Sequence, residues 1–242
     1  MAGMMFYKNI DLLDVKKYGK SKIERISDYS FTAEANSLPI TGSEFIQASK
    51  EYIIAFIKND EGEYFPMVCL GVEDQKNLYV TKEGKWNAKY IPGYVRRYPF
   101  ASMVDEEGEK FNICIDESYP GLGTEKGQPL FQEDGTPAPI VEDVIKTLQE
   151  YHGQMKYTSD FCKRLADNDL LESKVFQAEV STQDGGKKFQ LSGVFVINEE
   201  KLLGLDDNIA LDFFKKGEFS LIYSHLISLN NFSRMLDRYF AE

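Results

Sequence analysis

The residues best suited to molecular recognition lie close together, between Trp86 and Phe100. These fifteen residues hold the only tryptophan of the chain, three tyrosines, one phenylalanine and two arginines. Aromatic rings supply rigid apolar area, and the arginine guanidinium supplies planar donors that pair with carboxylates and stack on rings. This composition predicts a site for a peptide or another ligand. The residues of the predicted site are Trp86, Tyr90, Tyr94, Arg96, Arg97 and Tyr98.

The same segment has a structural interpretation, an aromatic core in which Arg96 and Arg97 pair with internal carboxylates. Carboxylates are concentrated just after it, because residues 105–143 hold eleven of the 39 acidic residues and only two lysines. We consider two hypotheses for that stretch. It is either a solvated loop, or a lid that pairs with Arg96 and Arg97 and mimics an acidic ligand.

A second set of residues could support general acid–base catalysis. Cys114, Asp116 and His225, with Glu34, would have to share one cleft for proton transfer to occur. Each has a structural interpretation as well, because His152 and His225 lie in apolar helical patterns and are predicted to be packed in the core. The acidic neighbours of Cys114 should raise its thiol pKa and disfavour the reactive thiolate. We therefore predict no catalytic residues, and an uncharacterised enzyme remains the alternative.

Common motifs of nucleophilic, metal and cofactor sites are missing from the sequence. There is no HExxH, no GxSxG, and no histidine followed by the x-Asp or x-Glu of an iron site. The glycine-rich stretch at 121–127 has Lys126 where a dinucleotide loop needs its third glycine, and the three cysteines contain no CxxC. All three cysteines are predicted to be structural. We predict no metal and no cofactor.

The composition restricts the partners and the compartment. The chain has 242 residues, a net charge of −11 and 43% hydrophobic residues, which suits a folded domain and argues against binding to nucleic acid. No apolar run reaches the roughly 20 residues of a membrane helix. The N-terminus lacks the basic and apolar regions of a secretory signal, so a cytoplasmic protein is expected.

The hydrophobic pattern predicts an α+β fold, with antiparallel β-hairpins packed against a long central helix and a C-terminal helix. The predicted hairpins are Tyr52–Ile57 with Tyr64–Val72, Phe100–Val104 with Lys110–Ile115, and Val175–Val180 with Lys188–Ile197. A further strand is expected at Asn77–Val80. The predicted helices are a short one after Pro92, one of about 28 residues from Pro139, Asp206–Lys216 and Glu218–Tyr239.

The domain organisation follows from the same pattern. Residues 1–28 are predicted to form an N-terminal arm, and residues 29–242 a single α+β domain. Each half of that domain runs from hairpins to a helix, which suggests sub-halves at 29–136 and 137–242. The stretch at 117–139 is rich in proline and glycine and is expected to be an irregular connection.

Several of these segments resemble the SapC family of bacterial proteins. The matching residues are Trp86-x-Ala88-x-Tyr90-Ile-Pro92, Arg96-Arg97-Tyr98-Pro99-Phe100, Phe31-x-Ala33-Glu34-x-Asn36-Ser37-x-Pro39 and Leu221-Ile222-Tyr223-x-His225-Leu226. The family takes its name from genes linked to a bacterial surface layer, and no catalytic residues carry over from it. The resemblance implies a non-enzymatic accessory or binding protein for surface-protein or peptide handling, with a protein or peptide partner and an association with the cell surface. A structural surface-layer component is a third hypothesis.

Overall fold

The computed structural model describes residues 5–104, 111–182 and 185–241. Its strands are β1 Ile10–Leu12, β2 Lys22–Ile23, β3 Ser37–Pro39, β4 Ile53–Lys58, β5 Tyr64–Cys69, β6 Phe100–Val104, β7 Phe111–Asp116, β8 Leu122–Gly123, β9 Gln128–Pro129, β10 Leu171–Thr182 and β11 Gly185–Ile197. Its α-helices are α1 Val15–Tyr18, α2 Phe45–Ala48, α3 Gly93–Arg96, α4 Pro139–Asp167, α5 Glu199–Leu203, α6 Asp207–Lys215, α7 Phe219–Ser228 and α8 Asn231–Ala241.

The strands form three antiparallel sheets. The largest has the order β10-β11-β4-β5-β3, a second has the order β1-β7-β6, and the smallest has the order β8-β2-β9. The predicted α+β class is confirmed, because antiparallel hairpins are combined with the long helix α4 and helices at the C-terminal end. No helix of the described residues is long and apolar enough to cross a membrane.

The β4–β5 hairpin forms the buried centre of the largest sheet. Residues Ile53–Phe56 are almost completely excluded from solvent, and Ile53 pairs with Cys69 at the far end of the hairpin. The turn is the predicted one, with Gly62 at φ +88°, a conformation that glycine adopts without steric cost. The strands of the other two predicted hairpins also pair, although the tips at 105–110 and 183–184 lie outside the described residues.

Helix α4 connects two hydrophobic cores. Its second half places Phe161 and Leu165 in the larger core, which is built on the β4–β5 hairpin. Its first half places Val141 and Leu148 in a smaller core with Phe100 of β6. The segment between Trp86 and Phe100 lies where these two cores meet, because Tyr94 and Val95 belong to the first core and Phe100 to the second.

Two predictions of secondary structure were wrong. Residues 77–80 form no strand, only an isolated bridge between Val80 and Trp86. The Asn77 side chain accepts a hydrogen bond from the Tyr79 amide (2.9 Å), a local bond that competes with strand pairing. The predicted helix 218–239 is two helices, α7 and α8. The break follows Ser228, where Asn230 caps an α7 carbonyl and Asn231 donates to the Ser49 and Tyr52 carbonyls.

Residues 5–28 contribute strands to two of the sheets. Strand β1 pairs with β7, and β2 lies between β8 and β9, which belong to the connection at 117–139. Tyr18 and Ile23 are buried in the smaller core. The histidine prediction holds for one residue only, since His225 is fully buried, whereas His152 is exposed on α4.

Candidate functional site

The buried carboxylate of Glu44 fixes the start of helix α3. It accepts hydrogen bonds from the Gly93 amide (2.6 Å), the Tyr90 hydroxyl (2.8 Å) and the Thr41 amide (2.8 Å). A Cβ at position 93 would lie 3.2 Å from Glu44 Oε1, so the close approach favours glycine there. One side chain therefore ties the 3-10 turn at residues 42–44 to the segment that carries the predicted site.

Trp86 is held by its indole N–H. This group donates to the Tyr52 hydroxyl (2.9 Å) and to the Tyr90 carbonyl (3.2 Å). Tyr52 itself donates to the same carbonyl, and burial raises the pKa of its phenol. The indole is half-buried, which leaves part of its ring at the surface.

Two of the predicted site residues face the protein interior. Tyr94 and Tyr98 are only 7% and 6% exposed. Tyr94 accepts a hydrogen bond from the Met5 amide (3.0 Å), and Tyr98 stacks on Phe31 with ring centroids 4.2 Å apart. Both rings pack against the interior, as in the aromatic-core interpretation, and expose little surface to a partner.

The Arg97 guanidinium is surrounded by ring faces. Its central carbon lies 4.2 Å from the Tyr94 ring centroid, 4.9 Å from that of Tyr151 and 6.0 Å from that of Tyr7. Arg97 forms no ion pair with any described residue. Its Nε and the Tyr151 hydroxyl are both buried without a hydrogen-bond partner within the described chain. Buried polar groups are almost always hydrogen-bonded in native proteins, so these two groups are the ones in this region with hydrogen-bonding capacity left for a ligand.

Arg96 is exposed beside Arg97, and its guanidinium makes two polar contacts. Its Nε donates to the Ile91 carbonyl (3.0 Å), and its Nη2 lies 3.4 Å from the Tyr90 hydroxyl. No carboxylate of the described residues pairs with it. The structure therefore combines parts of both interpretations, because the aromatics form a core whereas the two arginines keep their charges unpaired.

The two arginines line an apolar cleft of about 380 Å3, called cleft A here. Its remaining walls come from β2 with the residues after it and from the first half of α4. The apolar lining residues are Ile23, Ile26, Ile91, Pro99, Phe100, Ile140, Val144 and Leu148. Arg25, Glu24 and Asp143 add charges to the lining, and Asp143 is the one carboxylate among the described residues of the acidic stretch that lines this cleft.

A smaller recess adjoins cleft A. It measures about 270 Å3 and shares Arg96, Arg97 and Thr147 with cleft A, and its lining also includes Glu44 and Tyr151. Tyr151, whose hydroxyl has no hydrogen-bond partner in the described chain, thus lines the same recess as Arg96 and Arg97. Sequence reasoning missed Tyr151 and Glu44, because nothing in the local pattern places residues 44 and 151 beside residue 97.

Trp86 and Tyr90 line a different cleft, called cleft B here, with a volume of about 690 Å3. The structure thus divides the six predicted residues among three environments. Arg96, Arg97 and Tyr98 line cleft A, Trp86 and Tyr90 line cleft B, and Tyr94 lines neither. The segment from Trp86 to Phe100 therefore contributes residues to two separate clefts.

The proposed catalytic set is distributed over separate parts of the fold. Cys114 is buried in β7, and burial together with the nearby charge of Asp11 raises its thiol pKa. Burial acts to raise the pKa of Asp116, but hydrogen bonds from Ser118 and from the backbone of Lys8 and Asn9 outweigh it, and the pKa is lowered. Asp116 is occupied in holding the N-terminal segment on β7.

His225 lies against the largest sheet rather than beside β7. Its Nε2 accepts the Ile197 amide (3.0 Å), its ring packs 5.0 Å from that of Phe56, and burial lowers its pKa to about 3. Glu34 is exposed before β3. No hydrogen bond or ion pair within the described ranges joins His225 or Glu34 to Cys114, and no group of three potential metal ligands occurs in those ranges.

The chain is an α+β protein in which two arginines line an apolar cleft and form no ion pair with the residues that the structure describes. The chain belongs to the SapC family, whose sequence model matches residues 13–235. The resemblance predicted from the sequence is thereby confirmed over nearly the whole chain. No curated protein matches the chain, and no solved structure matches it either.

Proposed function

We propose that this SapC-family chain is a non-enzymatic accessory or binding protein for a protein or peptide partner. The partner places a carboxylate at Arg96 and Arg97 and an apolar side chain in cleft A. The observation that carries the proposal is the Arg97 guanidinium, which lines an apolar cleft and has no carboxylate partner within the described chain. Family membership supports a role in handling surface proteins or peptides.

Arginine suits this task for two reasons. Its planar donors pair with a carboxylate through two parallel hydrogen bonds, and the charge is never lost at physiological pH. The tyrosine rings around Arg97 hold the guanidinium in place, so little side-chain freedom is lost on binding. A charge-assisted pair of this kind contributes roughly 1.5–3 kcal/mol to binding.

Cleft A suits the apolar part of such a ligand. Its volume of about 380 Å3 lies at the lower end of ordinary ligand pockets, which favours one or two side chains over a large cofactor. The aliphatic lining from Ile140 and Val144 would cover an apolar side chain next to the carboxylate. Specificity would then come from the combination of the two groups.

The proposal is tested with peptides selected on the immobilised protein from a random display library. Fluorescence anisotropy then compares the wild type with the Arg96→Ala/Arg97→Ala variant. We expect at least about a tenfold loss of affinity, the equivalent of 1.4 kcal/mol, in a variant that still folds cooperatively but has a lower Tm, because the ring contacts of Arg97 are lost. Retained affinity would refute the proposal, and an equal collapse of folding would favour the aromatic-core interpretation.

Two further variants distinguish a local effect at Arg96 and Arg97 from a general effect of the protein's net charge. Lys174→Ala/Lys188→Ala removes the same two charges from exposed positions on β10 and β11 and should leave affinity unchanged. Arg96→Ala alone removes an exposed side chain without opening the tyrosine cluster, and should still weaken binding several-fold. A loss in the lysine control equal to that in the arginine variant would contradict a local site.

A further inference from the structure

Cleft B has an unusual charge for a chain with so many acidic residues. Among the described residues, four cationic side chains and one carboxylate, that of Glu51, line it, although the chain as a whole has a net charge of −11. The cationic residues are Lys50, Lys89, Arg234 and Arg238. The four come from three parts of the fold: the end of α2, the segment after Trp86, and helix α8. Tertiary structure therefore concentrates positive charge at one place.

The two arginines of cleft B are held in position before any ligand arrives. They lie four residues apart on α8 and therefore share one face of the helix. Arg234 Nη1 donates to the Lys50 carbonyl and Arg238 Nη1 to the Asn87 carbonyl, both at 2.8 Å. Each guanidinium is thus anchored by one nitrogen, which reduces the entropy lost when the other donors bind a ligand.

Internal carboxylates leave much of this charge uncompensated. Glu51 Oε2 lies 3.8 Å from Arg238 Nη2, a long contact, and Glu51 Oε1 accepts the Lys89 backbone amide (2.8 Å). Arg238 also rests on the Tyr79 ring, 4.4 Å from its centroid. Arg234 has no ion pair within the described chain. After Glu51 is counted, three positive charges remain for a ligand.

We infer that cleft B binds a small phosphate monoester, with its phosphate held by Arg234 and Arg238 and supported by Lys50 and Lys89. A monoester carries close to two negative charges at neutral pH and three terminal oxygens, which suits several donors better than a single carboxylate does. The half-buried indole of Trp86 forms part of the wall and would contact the organic portion. The site is independent of the proposed function, because clefts A and B share no residue.

Trp86 makes this site directly observable. It is the only tryptophan of the chain and it lines cleft B, so its fluorescence reports on occupancy. Glycerol 3-phosphate, which does not absorb where tryptophan is excited, is titrated at constant ionic strength. We expect a saturable change, a weaker one with inorganic phosphate, and none with glycerol. An equal response to succinate, or no saturable change up to about 10 mM, would overturn the inference.

Substitutions then locate the response. Arg234→Gln should weaken binding by about tenfold or more, because one charge-assisted pair is lost. Lys50→Gln/Lys89→Gln changes two exposed side chains that folding does not require, and should weaken binding several-fold. Lys174→Gln/Lys188→Gln is the matched control and should bind like the wild type. Equal affinities in all three variants would contradict the assignment to cleft B.

A lipid headgroup could present the same phosphate. Co-sedimentation with vesicles that contain phosphatidic acid in phosphatidylcholine distinguishes this source from a soluble ester. We expect the protein to stay in the supernatant. Binding to the vesicles without any response to glycerol 3-phosphate would overturn the assignment to a soluble ligand.

Discussion

At the scale of single residues, the Arg97 guanidinium is stabilised by rings instead of a carboxylate. Each arginine–ring contact is worth about 0.5–2 kcal/mol, depending on how far it is removed from water. Contacts with Tyr94 and Tyr151 therefore offset part of the cost of partial burial and leave the charge available. A carboxylate partner in the same chain would have stabilised Arg97 but would have occupied the site.

The three thiols should be unreactive in the folded protein. Burial raises the pKa of Cys69 and of Cys162 to about 12, and the pKa of Cys114 is also raised. At pH 7 the thiolate fraction is then very small. We expect a disulfide reagent to label the folded protein at least about 100-fold more slowly than the urea-unfolded protein. Rapid labelling of Cys114 in the folded state would restore the catalytic hypothesis.

His225 should make stability depend on pH. Burial lowers its pKa to about 3, whereas the unfolded chain has a histidine pKa of about 6.5. Between these values the unfolded state binds a proton that the native state does not, so the free energy of unfolding falls as the pH falls. The loss from pH 7 to pH 5 is about 2 kcal/mol.

Chemical denaturation at the two pH values checks this expectation. His225→Gln keeps an acceptor for the Ile197 amide but does not titrate, and should lose most of this pH dependence. His152→Gln changes the other, exposed histidine and should behave like the wild type. The account is contradicted if His225→Gln loses as much stability as the wild type over this range.

At the scale of elements, the segment from Trp86 to Phe100 depends on contacts made elsewhere in the chain. Glu44 fixes its middle and Tyr52 fixes its start, while Phe31 packs beneath Tyr98. A segment with so little regular structure keeps one conformation because its backbone and aromatic groups are bonded or packed from several sides. Its two arginines are held at the surface by the same contacts.

Removing Glu44 tests this dependence. Glu44→Ala leaves the Thr41 and Gly93 amides buried without an acceptor, which should cost about 3 kcal/mol in the free energy of unfolding. Peptide binding at cleft A should weaken as well, because the Tyr90 hydroxyl, which contacts Arg96, loses its acceptor. Glu34→Ala at an exposed position should change stability by less than about 0.5 kcal/mol. A cost below about 1 kcal/mol for Glu44→Ala would contradict the role assigned to it.

The sequence pattern correctly predicted the elements that are determined by residues close together in the chain. The β4–β5 hairpin was predicted by its apolar strands and its Asn59–Gly62 turn, and the long helix by Pro139 and its apolar stripe. The strand at Asn77–Val80 was predicted in error, because side-chain bonds and burial of the loop determine its conformation. The break after Ser228 was missed because tertiary bonds to Asn231 favour it.

The candidate site was predictable only in part, because contacts between distant parts of the chain determine its structure. The composition of the segment pointed to Arg96 and Arg97. A short irregular segment has no regular alternation of buried and exposed side chains, so its sequence does not show which aromatic rings face inward. The burial of Tyr94 and Tyr98 depends on Phe31 and the residues before it. The cations of cleft B come from positions far apart in the sequence. Only the four-residue spacing of Arg234 and Arg238 indicates in advance that two of them share a helix face.

At the scale of the whole molecule, charge is distributed unevenly. Residues 105–143 account for −9 of the chain's net charge of −11, whereas the two clefts present arginines. An acidic chain of this kind repels polyanions at long range, which disfavours non-specific binding of nucleic acid. Partner selection therefore depends on short-range pairing inside a cleft.

Salt should weaken peptide binding through those short-range pairs. For a peptide whose only charges are one carboxylate and one distant amine, affinity should fall as the screening length shrinks from about 10 Å at 0.1 M salt to about 3 Å at 1 M. The Arg96→Ala/Arg97→Ala variant should show almost no slope. Anisotropy titrations at several salt concentrations measure both slopes, and a wild-type affinity indifferent to salt would argue against carboxylate pairing.

The pairing of the two arginines with a partner carboxylate is tested most directly by a double-mutant cycle. The cycle combines the Arg96→Ala/Arg97→Ala change with a selected peptide whose carboxylates are replaced by amides. Neutralising the peptide should weaken its binding to the wild-type protein about tenfold or more and leave its binding to the variant almost unchanged. An equal loss for both proteins would show that the carboxylate binds elsewhere and would contradict the assignment.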